Sequence, residues 1–66
     1  MSLYDYKASL EIASQDYPFY ALVMACMRQA DSNNIEKLKL AFPDTWKELK
    51  QRYNAPGGII DFDKEQ

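Results

Sequence analysis

Residues 17–27 read YPFYALVMACM, and each of the nine residues after Pro18 is apolar or aromatic. At about 100° per residue, such a run points in every direction around a helix, so the sequence predicts a helix that is buried on all sides. A domain this small buries only about 60% of the surface that its unfolded chain exposes. A chain of 66 residues can therefore hardly surround this helix alone, and we expect a small helical protein that forms a homo-oligomer.

A first, amphipathic helix is predicted before this run, from about residue 4 to residue 15. Its apolar residues recur at intervals of four, three and four, which places them on one stripe. Pro18 suits the first turn of a helix, where its missing N–H is not needed, so the second helix should begin there. The stripe of the first helix consists of Tyr6, Leu10, Ala13 and Tyr17.

A third helix is predicted after the polar segment at residues 31–34, which favours turns and N-caps. Asn33, with Glu36 three residues later, resembles a capping box, so the helix should start at Asn33. The segment Pro43-Asp44 ends or bends it. The apolar side of this helix consists of Ile35, Leu38, Ala41 and Phe42.

A fourth helix is predicted with Asp44 as its N-cap. Trp46, Leu49 and Tyr53 lie on its inner side at intervals of three and four, and Trp46 is expected to anchor the core. The segment at residues 54–58, NAPGG, closes the helix because its two glycines permit a positive φ.

The sequence thus predicts an all-α fold, a compact bundle of about four short helices with a Gly/Pro turn and a short extended C-terminal arm. Residues 1–66 form a single small helical domain in this interpretation. Residues 59–62 extend as a short strand or arm that could swap onto a neighbouring subunit. The last four residues read as a solvated end, so that 59–66 is an extended or disordered tail.

Composition and charge disfavour several classes of function. Eight Lys and Arg against ten Asp and Glu give a net charge of −2, which disfavours broad binding to long nucleic acid. The chain has no histidine, and its single cysteine, Cys26, cannot form a zinc site without other chains. We therefore expect no metal, no cofactor and no catalytic residue, and we interpret the protein as non-enzymatic.

The location of the protein is predicted from its N-terminus and its cysteine. The first residues lack the basic and apolar regions of a signal peptide, and an apolar run of about ten residues is too short to span a bilayer. Cys26 lies within the apolar run, which favours a buried thiol in a reducing compartment. These features predict a cytoplasmic protein with no membrane partner.

Tyrosines and arginines are the candidate ligand-binding residues. Five tyrosines are many for 66 residues, and a tyrosine ring suits either a core boundary, the more frequent role, or the stacking of a nucleobase. Arg28 and Arg52 lie near helix ends and could bind a phosphate, although Arg28 also suits the helix dipole and Arg52 an ion pair with Glu48. The candidate ligand-binding residues are Tyr20, Arg28, Arg52, Tyr53 and Asn54.

Three stretches resemble a compact family of uncharacterised proteins encoded by bacteriophages and mobile elements. They are DYPFYALVMACMRQAD at 16–31, AFPDTW at 41–46 and RYNAPGG at 52–58, and the likeness covers roughly residues 5–58. The resemblance implies a phage context and transfers no catalytic or binding residue. Small phage proteins of this size frequently interfere with host defence, by occluding a host protein or by sequestering a nucleotide signal in a pocket between subunits.

Two functions follow from these features. The first is an oligomer that sequesters a small nucleotide-derived signal in an inter-subunit pocket without cleaving it. The alternative is a protein-interaction module that docks Phe19, Val23 and Met27 into a host or phage protein, such as a host defence protein. A small packed bundle whose function lies in other surface details is the third interpretation.

Overall fold

The computed structural model describes residues 1–64, and this part of the chain is helical with no strand. The predicted all-α class and its four main helices are confirmed. The elements are α1 at Leu3–Ser14, α2 at Phe19–Gln29, α3 at Ser32–Ala41, α4 at Pro43–Tyr53, a 3-10 turn at Pro56–Gly58 and α5 at Asp61–Lys64.

A capping box starts α1. The Ser2 hydroxyl accepts a hydrogen bond from the Asp5 amide at 3.2 Å, and the Asp5 carboxylate accepts one from the Ser2 amide at 2.9 Å. After the helix ends, Asp16 adopts a left-handed backbone with φ of 57°, which aspartate tolerates better than most residues. This residue lies in the turn that follows α1, and α2 begins at Phe19, one residue after Pro18.

The predicted N-cap of α3 is wrong by two residues. Asp31, not Asn33, is the cap, and its carboxylate accepts a hydrogen bond from the Asn34 amide at 2.8 Å. Several cap-forming residues stand in a row here, and the aspartate adds a negative charge at the positive end of the helix dipole. The helix therefore starts at Ser32.

The prediction that Asp44 caps α4 is also wrong. Phe42 alone separates α3 from α4, and Pro43 occupies the first turn of α4, where its locked φ suits a helix. Asp44 consequently lies inside the first turn, where its carboxylate faces the positive end of the dipole.

A small core forms where α4 packs against α2 and α3. Val23, Met27 and Leu49 are its buried side chains. Trp46 is half-buried against this core, with the Lys39 ammonium 4.8 Å from its ring centroid. The other partly buried side chains around the core are Met24, Ile35, Leu38 and Phe42.

Within the single chain, α2 is not buried on all sides, and its burial by a second copy stays a prediction. Only Val23 and Met27 are buried, because α4 covers just one side of the helix. Cys26 is exposed and not a buried thiol. None of the residues of α1 is buried either, so the predicted stripe of Tyr6 and Leu10 faces solvent.

The C-terminal segment departs from the predicted extended arm. Gly57 and Gly58 have φ of 64° and 71° in the 3-10 turn, as their positions predicted. Ile59 is extended, but residues 61–64 form a helical turn, and Asp63 contacts Arg52 instead of lying free in solvent. The prediction for residues 65–66 lies outside the described residues.

Candidate functional site

An open groove of about 540 Å³ lies between the C-terminal halves of α2 and α4. Its floor is formed by the buried core residues Met27 and Leu49. We call it the Arg28 groove, and its seven lining residues are Met27, Arg28, Trp46, Leu49, Lys50, Tyr53 and Asn54.

Two cations stand at the rim of the Arg28 groove. Arg28 comes from the last turn of α2 and Lys50 from the last turn of α4, and both are exposed. Neither has a carboxylate partner among residues 1–64 of the chain. Because α2 and α4 both end here, their C-terminal dipoles bring roughly half a negative charge each, which offsets part of the two positive charges. The rim thus carries about one net positive charge.

The polar and aromatic part of the groove comes from the end of α4. Tyr53 is the last residue of the helix and is 76% exposed, so its ring is open to a ligand. Asn54 follows as the C-cap, and its side-chain amide donates to the Lys50 carbonyl at 3.0 Å. This hydrogen bond fixes the Asn54 side chain beside Tyr53.

Three of the five predicted ligand-binding residues meet in this groove, namely Arg28, Tyr53 and Asn54. Lys50 belongs with them but was missed by the sequence analysis. It lies four residues after Trp46 and three before Tyr53, so the helical spacing that singled out Trp46 and Tyr53 also marks Lys50.

Arg52 lies outside the groove because its guanidinium is engaged within the chain. It donates to both Asp63 carboxylate oxygens at 2.6 and 3.0 Å and to the Gly58 carbonyl at 2.9 Å. Its Nε also lies 3.4 Å from Glu48, which confirms the predicted ion pair. The hydrogen bond and charge of Asp63 raise the pKa of Arg52 above its ordinary value, and the guanidinium lowers the pKa of Asp63 from 3.8 to about 2.

Tyr20 also lies apart from the Arg28 groove. It lines a second groove whose other residues include Asp44 and Glu48, and its ring meets the Phe19 ring edge to face at 5.2 Å between centroids. Two carboxylates beside the ring make this groove a poor site for a phosphate.

The docking face predicted on α2 is wrong. Val23 and Met27 are only 7% and 4% exposed, because α4 covers them. Phe19 alone of the three is exposed, and with Tyr17 and Tyr20 it forms an exposed aromatic patch at the turn between α1 and α2.

The described part of the chain has neither a metal-ligand cluster nor a membrane-spanning helix. Residues 1–64 hold no cluster of three or more side chains that could ligate a metal ion. None of the helices in the same range has both the length and the apolar character needed to cross a bilayer.

Comparisons with family models, with curated proteins and with solved structures gave no match for this chain.

Proposed function

We propose that this chain is a non-enzymatic protein that binds a small nucleotide-derived anion in the Arg28 groove and releases it unchanged. One observation carries the proposal. Two cations, Arg28 and Lys50, converge with the exposed Tyr53 ring on an apolar floor. The two cations can bind a phosphate, and the tyrosine ring can stack on a nucleobase. An apolar floor with a few polar groups is the usual form of a small-molecule site.

The charge balance of the rim favours one class of nucleotide. With about one net positive charge left after the two helix dipoles, the rim matches a phosphodiester, which carries one negative charge per phosphate. A triphosphate would bring excess negative charge towards two helix C-termini. A cyclic mononucleotide, with its single phosphodiester, is therefore the expected ligand, and a cyclic dinucleotide would place one of its two phosphodiesters at the rim.

The composition of the groove fits sequestration rather than cleavage. Its lining residues include no histidine, carboxylate or thiol, which are the usual general bases and nucleophiles. In the phage context that the sequence resembles, such binding would remove a host defence signal from the cytoplasm. The groove is lined by residues of one chain, and the pocket between subunits expected from the sequence stays a prediction.

Calorimetric titration with a panel of cyclic mononucleotides, cyclic dinucleotides and ADP-ribose tests this proposal, with mass spectrometry of the recovered ligand. We expect binding of a phosphodiester, recovery of the intact ligand and at least about tenfold weaker binding for Lys50→Gln. Lys47→Gln is the matched control, since Lys47 is an exposed lysine on the same helix that does not line the groove. Binding to no member of the panel, or hydrolysis of the ligand, contradicts the proposal.

The aromatic patch favours a second candidate, a module that docks onto a host or phage protein. Tyr17, Phe19 and Tyr20 are all more than half exposed at one turn, and aromatic side chains dominate the binding energy of many interfaces. A defined protein partner that Tyr17→Ala loses and Tyr4→Ala keeps would support this candidate. Binding that depends equally on both tyrosines would count against a role for the patch.

A further inference from the structure

Helix α1 carries apolar side chains on two nearly opposite sides. On one side Ile12 lines a groove with Leu22, Ala25 and Cys26, so this side faces α2. A second set of apolar residues lies about 160° around the helix from Ala8 and Ile12, at 100° per residue. We call this second set the α1 seam, and it consists of Leu3, Tyr6, Leu10 and Ala13.

The α1 seam is uncovered in the single chain. Leu3, Tyr6 and Leu10 are 66%, 62% and 54% exposed, and Ala13 is exposed as well. A helix packed on one side only would carry polar residues here. Ile12, on the side towards α2, is itself 48% exposed, so the described chain covers neither side of α1 fully and leaves the seam open.

The chain as a whole exposes more surface than a compact monomer of its mass. The accessible surface is 5831 Å², whereas a monomer of 7.7 kDa is expected to expose about 4,300 Å². The radius of gyration is 14.0 Å, against about 10.8 Å for a compact domain of this length. This excess of about 1,500 Å² belongs to the whole chain, of which the seam is one part, and it is of the order that one subunit buries in a homodimer, where interfaces total about 2,000–5,000 Å².

The order of residues in the seam also suits pairing with itself. The intervals are three, four and three, which read the same in both directions and are those of a coiled-coil seam. In an antiparallel pair, Leu3 lies opposite Ala13 and Tyr6 opposite Leu10, so that every apolar side chain meets another. A two-fold axis produces such a self-complementary contact.

Charges do not oppose this arrangement. The seam contains no ionised residue, and at 100° per residue the nearest charge, Lys7, lies about 80° from its centre, with Asp5 and Glu11 about 120° away. The net charge of −2 per chain also makes repulsion between two copies small.

We infer that the protein is a two-fold symmetric dimer in which α1 packs antiparallel against α1 of a second copy through the seam. In α2, Val23 and Met27 face α4 while Leu22 and Cys26 face α1, so the two neighbours flank α2 on different sides. The Arg28 groove, which lies on the α4 side, stays open in the dimer. The inference therefore stands independently of the proposed ligand.

Sedimentation velocity on the full chain tests the dimer. We expect twice the mass of the chain for the wild type and at least tenfold weaker association for Leu10→Glu, because this change places a charge in the seam. Leu40→Glu is the control for the added charge, since Leu40 is an exposed leucine near the end of α3, at 85% exposure against 54% for Leu10. Circular dichroism checks that both variants keep their helices. A monomeric wild type, or a dimer that Leu10→Glu leaves intact, overturns the inference.

Disulfide trapping tests the antiparallel orientation. Tyr6→Cys and Leu10→Cys are each made in a Cys26→Ser background and oxidised alone or after mixing. The antiparallel pair predicts a disulfide-linked dimer only in the mixture, because position 6 lies opposite position 10. Linked dimers from each variant alone indicate a parallel pair, and no linked dimer in any sample indicates a different interface. Either result overturns the proposed arrangement.

Discussion

The Arg52 guanidinium holds both carboxylate oxygens of Asp63, at 2.6 and 3.0 Å, across eleven residues of chain. The same guanidinium donates to the Gly58 carbonyl, and the Asp63 carboxylate accepts from the Ile60 amide at 3.2 Å. Bidentate pairing of this kind fixes geometry as well as charge. These contacts attach the 3-10 turn and α5 to the end of α4.

Loss of this carboxylate should release the C-terminal turn while leaving the core folded. In Asp63→Asn, we expect faster hydrogen exchange at the Ile60 amide and a lower Tm, with unchanged exchange in α2. Glu11→Gln, which removes one exposed acidic charge from α1, serves as the control for the change in net charge. Unchanged exchange at Ile60 would show that the ion pair does not hold the turn.

The same ion pair predicts how the stability changes with pH. The pKa of Asp63 is lowered from 3.8 to about 2, so the folded state favours the ionised carboxylate. Its contribution to stability is present above about pH 4 and is lost as the pH falls towards about 2. Thermal unfolding of the wild type and of Asp63→Asn should therefore differ by a constant amount near neutral pH, and the two curves should converge in this acidic range. A difference at pH 2 as large as that near neutral pH would contradict the assignment.

The small core should make the fold sensitive to single truncations. Leu49 is one of the three buried core residues, and Leu49→Ala should cost about 2–5 kcal/mol, which is a large part of the stability of so small a domain. Leu40→Ala provides the comparison, because Leu40 is 85% exposed and its truncation should change the stability by less than about 0.5 kcal/mol. Urea unfolding measures the change in the free energy of unfolding for both variants. Equal changes would mean that α4 does not pack against the core as described.

The start of α3 can be tested by removing each of the two competing caps. Asp31→Ala should cost about 1 kcal/mol, since the Asp31 carboxylate accepts from the Asn34 amide. Asn33→Ala should cost much less, because Asn33 lies inside the first turn of the helix. Urea unfolding measures both losses of stability. A larger loss for Asn33→Ala than for Asp31→Ala would mean that Asn33 is the N-cap, as the sequence predicted.

Local patterns determined what the sequence could predict. Helical spacing and the positions of Pro18 and Pro43 predicted the four main helices. The two glycines at 57–58 predicted the positive φ that the 3-10 turn has. Which side of α2 is buried depends on the place of α4, which no local spacing reveals. Asp63 was taken for a solvated residue because its partner Arg52 is eleven residues away, far beyond the spacing of neighbours on a helix.

The candidate site was predictable to a similar extent. Arg28, Tyr53 and Asn54 were named from their chemistry and do line one groove, whereas Tyr20 and Arg52 lie elsewhere. Chemistry selects residues that can bind a phosphate or a base. Only the packing of α2 beside α4 decides which of them meet.

Tyr53 offers the sharpest test of how the groove would bind a nucleotide, because its ring and its hydroxyl can be removed separately. If the base stacks on the ring, Tyr53→Phe should keep the affinity, while Tyr53→Ala should lose about 1–3 kcal/mol of binding free energy. The fold should tolerate both changes, since Tyr53 is largely exposed. Calorimetric titration of the two variants with the phosphodiester that the wild type binds gives the comparison. Equal losses in both would assign the contact to the hydroxyl, and no loss in either would place the base elsewhere in the groove.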